Sequence, residues 1–510
     1  MLPGDFMDVM GKAEKTRLSR AEKIIVPGRN AWRSGAADKA GFLVDGAEYF
    51  AALEESLSQA VEQVFIVGWD FNPDIKLRPD DPQAPTLGEH LLALVERKPD
   101  LNIHILVWSM GPLYSGKSFK ILKRRRWNAH PRIRFRLDTR HAVRGSHHQK
   151  LVVIDDALAF VGGIDLTAKR WDTADHRADD PLRITPKQEP YEPVHDLQMA
   201  MTGEAAEIAA DAARRRWWQA TGEDVIRPRC HSLPLPRQAR HIFSDTEVAF
   251  SRTEPRIRNS EGFRESYRLT LDCLASARHR IYIESQYFAS AEIAKILEGH
   301  LSRPDGPEIV VITTRTSHGW LERVVLGENR DRMIRKLKQA DHYGRFRAFY
   351  PVVPAGSKGH QEVLIHAKLL MIDDCFIRIG SSNLNQRSIG LDTELDVALE
   401  ASDERETFVL EGLRHRLLAE HLGQSATMIE KTFRQTGSLV RTIDQLNIGT
   451  RGLRPFPGTN APGKTALHFA TGLVDPRAPW WPLQSFRPLE RLKTLQPPHL
   501  SDQPSGEKAR

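Results

Sequence analysis

The stretch HAKLLMIDDCFIRIGSSNLNQRSIGLDTE, His366 to Glu394, decides the fold. It opens with His, any residue, Lys, four apolar residues and Asp: His366, Lys368, Leu369 to Ile372, Asp373. Alternate side chains of an extended strand share a face, so His366 and Lys368 point one way and Asp373 the other. The apolar run predicts a buried strand, Asp373-Asp374 a two-residue turn, and Cys375 to Ile379 the returning strand. With those two aspartates as the whole turn, the register sets Ser381 directly opposite His366, where a small residue leaves room for a ligand.

The pattern occurs twice. His148, Lys150, Leu151 to Ile154 and Asp155 repeat the spacing, Asp155-Asp156 repeats the turn, and Gly162-Gly163 stands where Gly380-Ser381 stands. The same register sets Gly163 against His148. VFIVGWDF (Val64 to Phe71) precedes the first copy and IYIESQYF (Ile281 to Phe288) the second, each after a helical run, Tyr49 to Ala60 and Tyr267 to Ala277. The chain therefore reads as two homologous halves, each mixing helices and strands. Each half carries one such histidine, so both faces are expected around one cleft on a pseudo-twofold axis.

Both copies, with their Gly-Gly and Gly-Ser tails, resemble the HKD motifs of the phospholipase D superfamily. PGRNAWR (Pro27 to Arg33), GWD (Gly68 to Asp70), SHHQKLVVID, HDL (His195 to Leu197) and IESQYF are similar to its two-copy branch, that of bacterial phospholipases D and cardiolipin synthases. The resemblance runs from about Ile25 to Gly423. It implies an α/β fold of two α/β/α sandwiches with mixed sheets. It also implies phosphodiester chemistry through a phosphohistidine, with no metal and no cofactor. The domain reading is residues 1–24 as an N-terminal extension, 25–235 and 236–440 as the two halves, and 441–510 as a Pro/Arg-rich extension with a disordered end.

A phosphodiester is anionic and resists attack, so a catalyst must supply a nucleophile, neutralise phosphoryl oxygens and protonate the leaving oxygen. Two histidines can divide the first and third tasks, and Lys150 and Lys368 can hold the oxygens. The residues themselves do not break the symmetry; the resemblance implies His148 as nucleophile and His366 as general acid. A working histidine needs a carboxylate on its other ring nitrogen. The resemblance implies Glu394 and Asp196 for this, with Asp165 as a competitor for the second. It also implies Asn383 as a phosphate-side residue, beside Gly163 and Ser381 as substrate-facing positions. Asp165 stands where Asn383 would have its counterpart, a departure expected to repel a second phosphate. Asp155 and Asp373 sit at turns and are expected to be structural, as is His147 on the opposite face.

The composition, 40% hydrophobic and 27% charged over 510 residues, is that of a globular protein with two cores. Cys230, Cys273 and Cys375 are far apart, giving neither a disulfide framework nor a zinc site; Cys375 is expected to be a small buried hydrophobe. Net charge is +7. Twelve Lys or Arg between Lys117 and Lys150, with Lys123 to Arg126 in a row, face only Asp138, a patch suited to polyanions or an anionic lipid surface. Neither a leader's apolar core nor a membrane-spanning run stands out, so a cytoplasmic or peripheral location is expected, with export without a leader as the alternative.

Lys169 to His195 is polar and predicts a loop over the cleft, with His176 an ordinary loop histidine. Glu204 to Trp218, Gly319 to Lys338 and Glu404 to Leu422 predict helices, the second with Trp320, Leu321, Val324 and Val325 as an apolar face. Order is expected to weaken beyond Leu422, with Trp480-Trp481 packed on the domain and a short interfacial anchor as the alternative.

The expected activity is that of a phospholipase D, releasing phosphatidic acid and a head-group alcohol from a glycerophospholipid at a membrane surface, with water or an alcohol as acceptor. The alternatives are a cardiolipin-synthase-type phosphatidyltransferase and, behind it, a nuclease. Nucleic acid is not the expected partner, and a monomer is expected because both motifs lie in one chain.

Overall fold

The two Asp-Asp turns set the register from which the sheets are built. Asp373 and Asp374 take positive φ, 52° and 55°, as do Asp155 and Asp156, at 51° and 54°, a conformation that Asp tolerates. Each loop nevertheless takes in a third residue. Ile372 pairs with Phe376, and Ile154 with Leu158, which leaves Cys375 and Ala157 over. Cys375 is held at the turn by Ala401, whose N–H donates to its carbonyl at 2.7 Å; it is half-buried, not a strand residue. The ladder therefore runs one residue off the expected register, and it ends at Leu369–Ile379 and Leu151–Val161, short of both histidines. A one-residue slip exchanges faces, so Ser381 and Gly163 acquire a different role, described below.

The computed structural model describes residues 23–111, 126–142, 144–229, 232–256, 262–315 and 320–456, without the side chains of 320–326. The first half supplies β1 (Arg33–Val44), β2 (Gln63–Gly68), β3 (Asn102–Trp108), β4 (Ile133–Asp138), β5 (Leu151–Ile154), β6 (Leu158–Gly162) and β7 (Leu197–Thr202). The second supplies β8 (Arg240–Glu254), β9 (Arg280–Ser285), β10 (Glu308–Thr313), β11 (Phe346–Pro354), β12 (Lys368–Ile372), β13 (Phe376–Gly380) and β14 (Glu394–Glu400). The strand order is β4-β3-β2-β5-β6-β7-β1 in one half and β11-β10-β9-β12-β13-β14-β8 in the other. Adding seven to each strand number converts one into the other. β1 and β8 pair antiparallel, Arg33 with Phe250 and Ala40 with Phe243, which joins the halves along the pseudo-twofold axis. β2, β3 and β4 are parallel, as are β9, β10 and β11, so both sheets are mixed.

Helices α1 (Asp45–Gln59) and α2 (Leu87–Arg97) cover the outer face of the first sheet. α4 (Glu265–Ser276), α5 (Ala291–Leu301) and α6 (Trp320–Ala340) cover that of the second. The inner faces share one core with α3 (Glu204–Thr221) and α7 (Glu404–Leu422), in which Trp217, Phe42, Val248, Leu395 and Leu417 are buried together. Each half is thus an α/β/α sandwich whose inner layer belongs to both. Past α7, where order was expected to weaken, two more helices form, Ala426–Thr436 and Leu439–Leu446, and Gly452–Pro455 adds to the edge of β11. The boundary read at 440 therefore falls inside a helix.

Asp155 and Asp373, at the turns, each accept backbone N–H groups from a neighbouring stretch of chain. The Asp155 carboxylate accepts the N–H groups of Val61, Glu62 and Gln63 at 2.6, 2.8 and 2.7 Å. Asp373 accepts those of Arg278, His279 and Arg280, each at 2.8 Å. Each cradles the chain entering the strand that starts its half's parallel run. Asp155→Ala removes a charged acceptor from three amides and should lower unfolding free energy by about 3 kcal/mol, read as a lower urea midpoint. Asp155→Asn, which keeps the positive φ and part of the acceptor capacity, should cost less.

Lys117 to Arg125, Cys230, the apolar face at Trp320, Leu321, Val324 and Val325, Trp480-Trp481 and the residues from Gln496 on lie outside the described side chains. Among the described residues no helix is long and apolar enough to cross a membrane.

Candidate active site

His148 and His366 lie just before β5 and β12 and pair with the opposite half. The His148 N–H donates to the Thr393 carbonyl at 2.8 Å, and the His366 N–H to the His195 carbonyl at 2.8 Å. Thr393 and His195 are the residues just before Glu394 and Asp196. The rings follow the backbones: His148 Nδ1 lies 3.0 Å from Glu394 Oε2, and His366 Nδ1 lies 2.6 Å from Asp196 Oδ2. Each histidine is held by the other half's carboxylate, so neither half contains a complete pair. Asp196, not Asp165, holds His366.

The small residues make room for these carboxylates. A Cβ on Gly163 would stand 2.1 Å from Asp196 Oδ1, and the Ser381 hydroxyl donates to Glu394 Oε2 at 2.5 Å while Ser388 donates to Oε1 at 2.7 Å. Gly163 and Ser381 therefore back the carboxylates and do not face substrate as expected. The cause is the extra turn residue, which slides each small residue off its own histidine.

With Nδ1–H donating to a carboxylate, Nε2 of each ring is the nitrogen left for chemistry. The His148 side chain keeps 17% of its surface exposed and that of His366 6%. Lys150 Nζ donates to the His148 carbonyl at 2.8 Å, and Lys368 Nζ curls onto the His366 carbonyl and Gln286 Oε1. Asp165 does not point a bare charge at the cleft: it lies 3.3 Å from Lys150 Nζ and accepts the Trp69 N–H at 2.8 Å. The expected repulsion of phosphate is thereby neutralised. Asn383 is not brought to either pair. It lines a small separate cavity with Tyr267, Thr270 and Arg378, its Oδ1 buried and without a hydrogen bond among the described residues. His147 is turned onto Asp138, 3.3 Å away, and fully buried.

Arg170 went unread in the sequence. Its Nη2 lies 3.4 Å from His366 Nε2, so the loop after the first motif carries a third cation into the site. Its signal in the sequence is a Lys-Arg pair six residues past the Gly-Gly step, too common to single out. His176 is no ordinary loop histidine either. It is 1% exposed and joins a second buried cluster with Asp45, His195, Glu284, Glu420 and His421, behind the His366–Asp196 pair.

Burial holds both His148 and His366 well below the usual histidine range, and the ammonium groups of Lys150 and Lys368 add to it for the first, Lys368 and Arg170 for the second. Both shifts favour the neutral imidazole. Burial likewise pushes Lys368 down to about 7, with Lys150 and Arg170 adding and Asp196 opposing. Burial raises Asp196 and Glu394. A neutral imidazole in a cleft lined by three cationic side chains suits attack on a bound anion.

Residues 56–255 match the family described as phospholipase D, and 270–409 match the cardiolipin synthase, PLD-like domain. Phospholipase D A of Dictyostelium discoideum is 25% identical over 74% of this chain and 35% of its own length. Phospholipase D1 of Saccharomyces cerevisiae is 24% identical over 76% and 29%, respectively. Phospholipase D zeta 1 of Arabidopsis thaliana is 33% identical over 40% of this chain and 21% of its own. The matched region thus spans about a third or less of those relatives. The solved structure of phosphatidylserine synthase from Haemophilus influenzae superposes with a TM-score of 0.51 at 14% identity, covering 80% of this chain and 95% of that one, a likeness of fold.

Proposed function

Because the chain belongs to the phospholipase D superfamily and carries its HKD repeat twice, we propose that it is a phospholipase D acting on glycerophospholipids. The observation that carries this is the crossed pairing of two histidines with two carboxylates through Nδ1, which leaves Nε2 of each ring for chemistry under the influence of Lys150, Lys368 and Arg170. His148 Nε2 attacks phosphorus, forming a P–N bond as the bond from phosphorus to the head-group oxygen breaks. Lys150, Lys368 and Arg170 hold the non-bridging oxygens. His366, charged once the phosphodiester brings its negative charge beside it, gives its Nε2 proton to the leaving alkoxide, with Asp196 stabilising the imidazolium. Water or an alcohol then enters, loses a proton to His366 and displaces His148, releasing phosphatidic acid or its ester. One chain supplies the whole site and acts as a monomer at the bilayer surface.

The test incubates purified protein with phosphatidylcholine vesicles, with and without ethanol. Phosphatidic acid alone in the first case and phosphatidylethanol in the second are expected. No lipid product together with cleavage of single-stranded DNA would overturn the reading. The match of 270–409 to a cardiolipin synthase domain favours a second reading, phosphatidyl transfer to a lipid alcohol. Phosphatidylglycerol vesicles separate the two: cardiolipin as main product supports transfer, phosphatidic acid supports hydrolysis.

Arg170→Ala should lower kcat/KM by about 10- to 100-fold, the range for losing one charged contact to the phosphoryl group. Arg170→Lys should recover part of it, and an unchanged kcat/KM would remove Arg170 from the site. The pH profile has a definite sign. Lys368 serves as a cation, and its free-enzyme value of about 7 lies below that of an ordinary lysine. Its charge is present below that value and lost above it, so kcat/KM should fall as pH rises through about 7. Bound phosphodiester favours the charged lysine, so the limb in kcat should lie at higher pH.

A further inference from the structure

The second buried cluster has the donor set of a metal centre. Asp45 begins α1, His176 and Asp172 lie in the loop from Lys169 to Pro193, and His195 precedes Asp196. Glu284 lies near the end of β9, and Glu420 and His421 near the end of α7. These elements come from both halves, and every one of these side chains is buried.

Four ligating side chains converge. His195 Nδ1 stands 2.8 Å from Glu420 Oε1 and 3.0 Å from Asp45 Oδ1; His176 Nε2 stands 3.0 Å from Glu420 Oε1 and 3.7 Å from Asp45 Oδ2. A tetrahedral zinc site with bonds of about 2.0–2.2 Å has ligand-to-ligand edges of about 3.4 Å, and these edges bracket that value. The other ring nitrogens are already engaged as metal-bound histidines require. His195 Nε2 meets Glu284 Oε2 at 2.8 Å, and His176 Nδ1 meets Asp172 Oδ2 at 2.9 Å. Carboxylates in those places fix ring orientation and sharpen the donor nitrogen.

An independent observation points the same way. His195 Nδ1, Asp45 Oδ2 and Glu420 Oε2 are buried and carry no hydrogen bond among the described residues. His195 Nδ1 has two carboxylate oxygens within reach, Glu420 Oε1 and Asp45 Oδ1. Of the four carboxylates, Arg183 neutralises Asp172 at 3.0 Å. Asp45, Glu284 and Glu420 have histidines for partners.

The geometry points to a structural site for a divalent cation of zinc's kind, held by His176 Nε2, His195 Nδ1, Asp45 and Glu420. It takes no part in the phosphodiester step. It clips the loop that carries Arg170, and the residue next to Asp196, to the C-terminal end of α7. Two nitrogens and two oxygens in four-fold array suit Zn2+ over Mg2+ or Ca2+, which take six or more oxygens.

The test uses the full chain, purified without chelator, and reads metal and not turnover. Elemental analysis after gel filtration should find about one zinc per chain. Cobalt substituted for it should give the visible absorption of a four-coordinate ion. His176→Ala, a change in a loop, should lose the metal; if that variant fails to fold, wild type stripped with dipicolinate and titrated with Zn2+ should rebind one equivalent with a rise in Tm. Wild type that carries no zinc, takes up none and keeps its Tm under chelator overturns the inference and leaves a cluster filled by protons. So does zinc that persists in folded His176→Ala. Neither outcome touches the lipid assay.

Discussion

His148→Ala should abolish lipid turnover, by on the order of 10^5-fold or more, with the chain still folded. Removing a nucleophile costs more than removing a contact because the covalent route itself disappears. The residue can be spared structurally: its side chain is partly open to the cleft, and its backbone bond to Thr393 survives truncation. Glu394 remains hydrogen-bonded by Ser381 and Ser388, so no buried carboxylate is orphaned. Release of choline from phosphatidylcholine, with the urea midpoint as the fold control, measures it. Residual activity within about 100-fold of wild type would exclude His148 as nucleophile. Glu394→Gln should be milder, about 10^2- to 10^4-fold, since the ring stays but its tautomer is no longer held.

The repeat was legible because duplication writes itself into spacing: His148 and His366, Lys150 and Lys368, and the two Asp-Asp turns follow from one pattern read twice. The strands were legible because their apolar runs are buried on both faces. The register was not. In the second copy the third turn residue, Cys375, has its carbonyl held by the Ala401 N–H from beyond the end of β14, a contact that no local pattern records. The extra residue in each turn moved Gly163 and Ser381 from the substrate's side to the carboxylates' side. The crossing of the pairs was hidden for a similar reason. Glu394 follows His366 by 28 positions and yet serves His148, since backbone pairing of 146–148 with 392–394 is decided by how the halves dock. Arg170 and His176 come from a loop without periodicity, and Glu420 reaches His176 across 244 residues; such contacts have no signature in spacing.

His366→Ala offers the sharper division of labour. If His366 supplies the proton to the leaving group and later takes one from water, a substrate whose leaving group departs unaided needs it only in the second step. With a p-nitrophenyl phosphodiester of a lipid, the variant should release one equivalent of p-nitrophenol in a burst within about 10-fold of the wild-type rate, then slow by about 10^3- to 10^4-fold, the range of general acid–base assistance. With phosphatidylcholine there should be no burst, because choline leaves poorly as an alkoxide. The stalled protein should carry the phosphatidyl group on His148, stable to base and lost in acid, as intact-mass measurement can follow. The environments support this division: His366 is the more enclosed ring, with the shorter carboxylate contact, and His148 the more open one. A burst from His148→Ala with His366 intact, and none from His366→Ala, would exchange the two roles while leaving the crossed pairs as they stand, because both arrangements use the same four side chains.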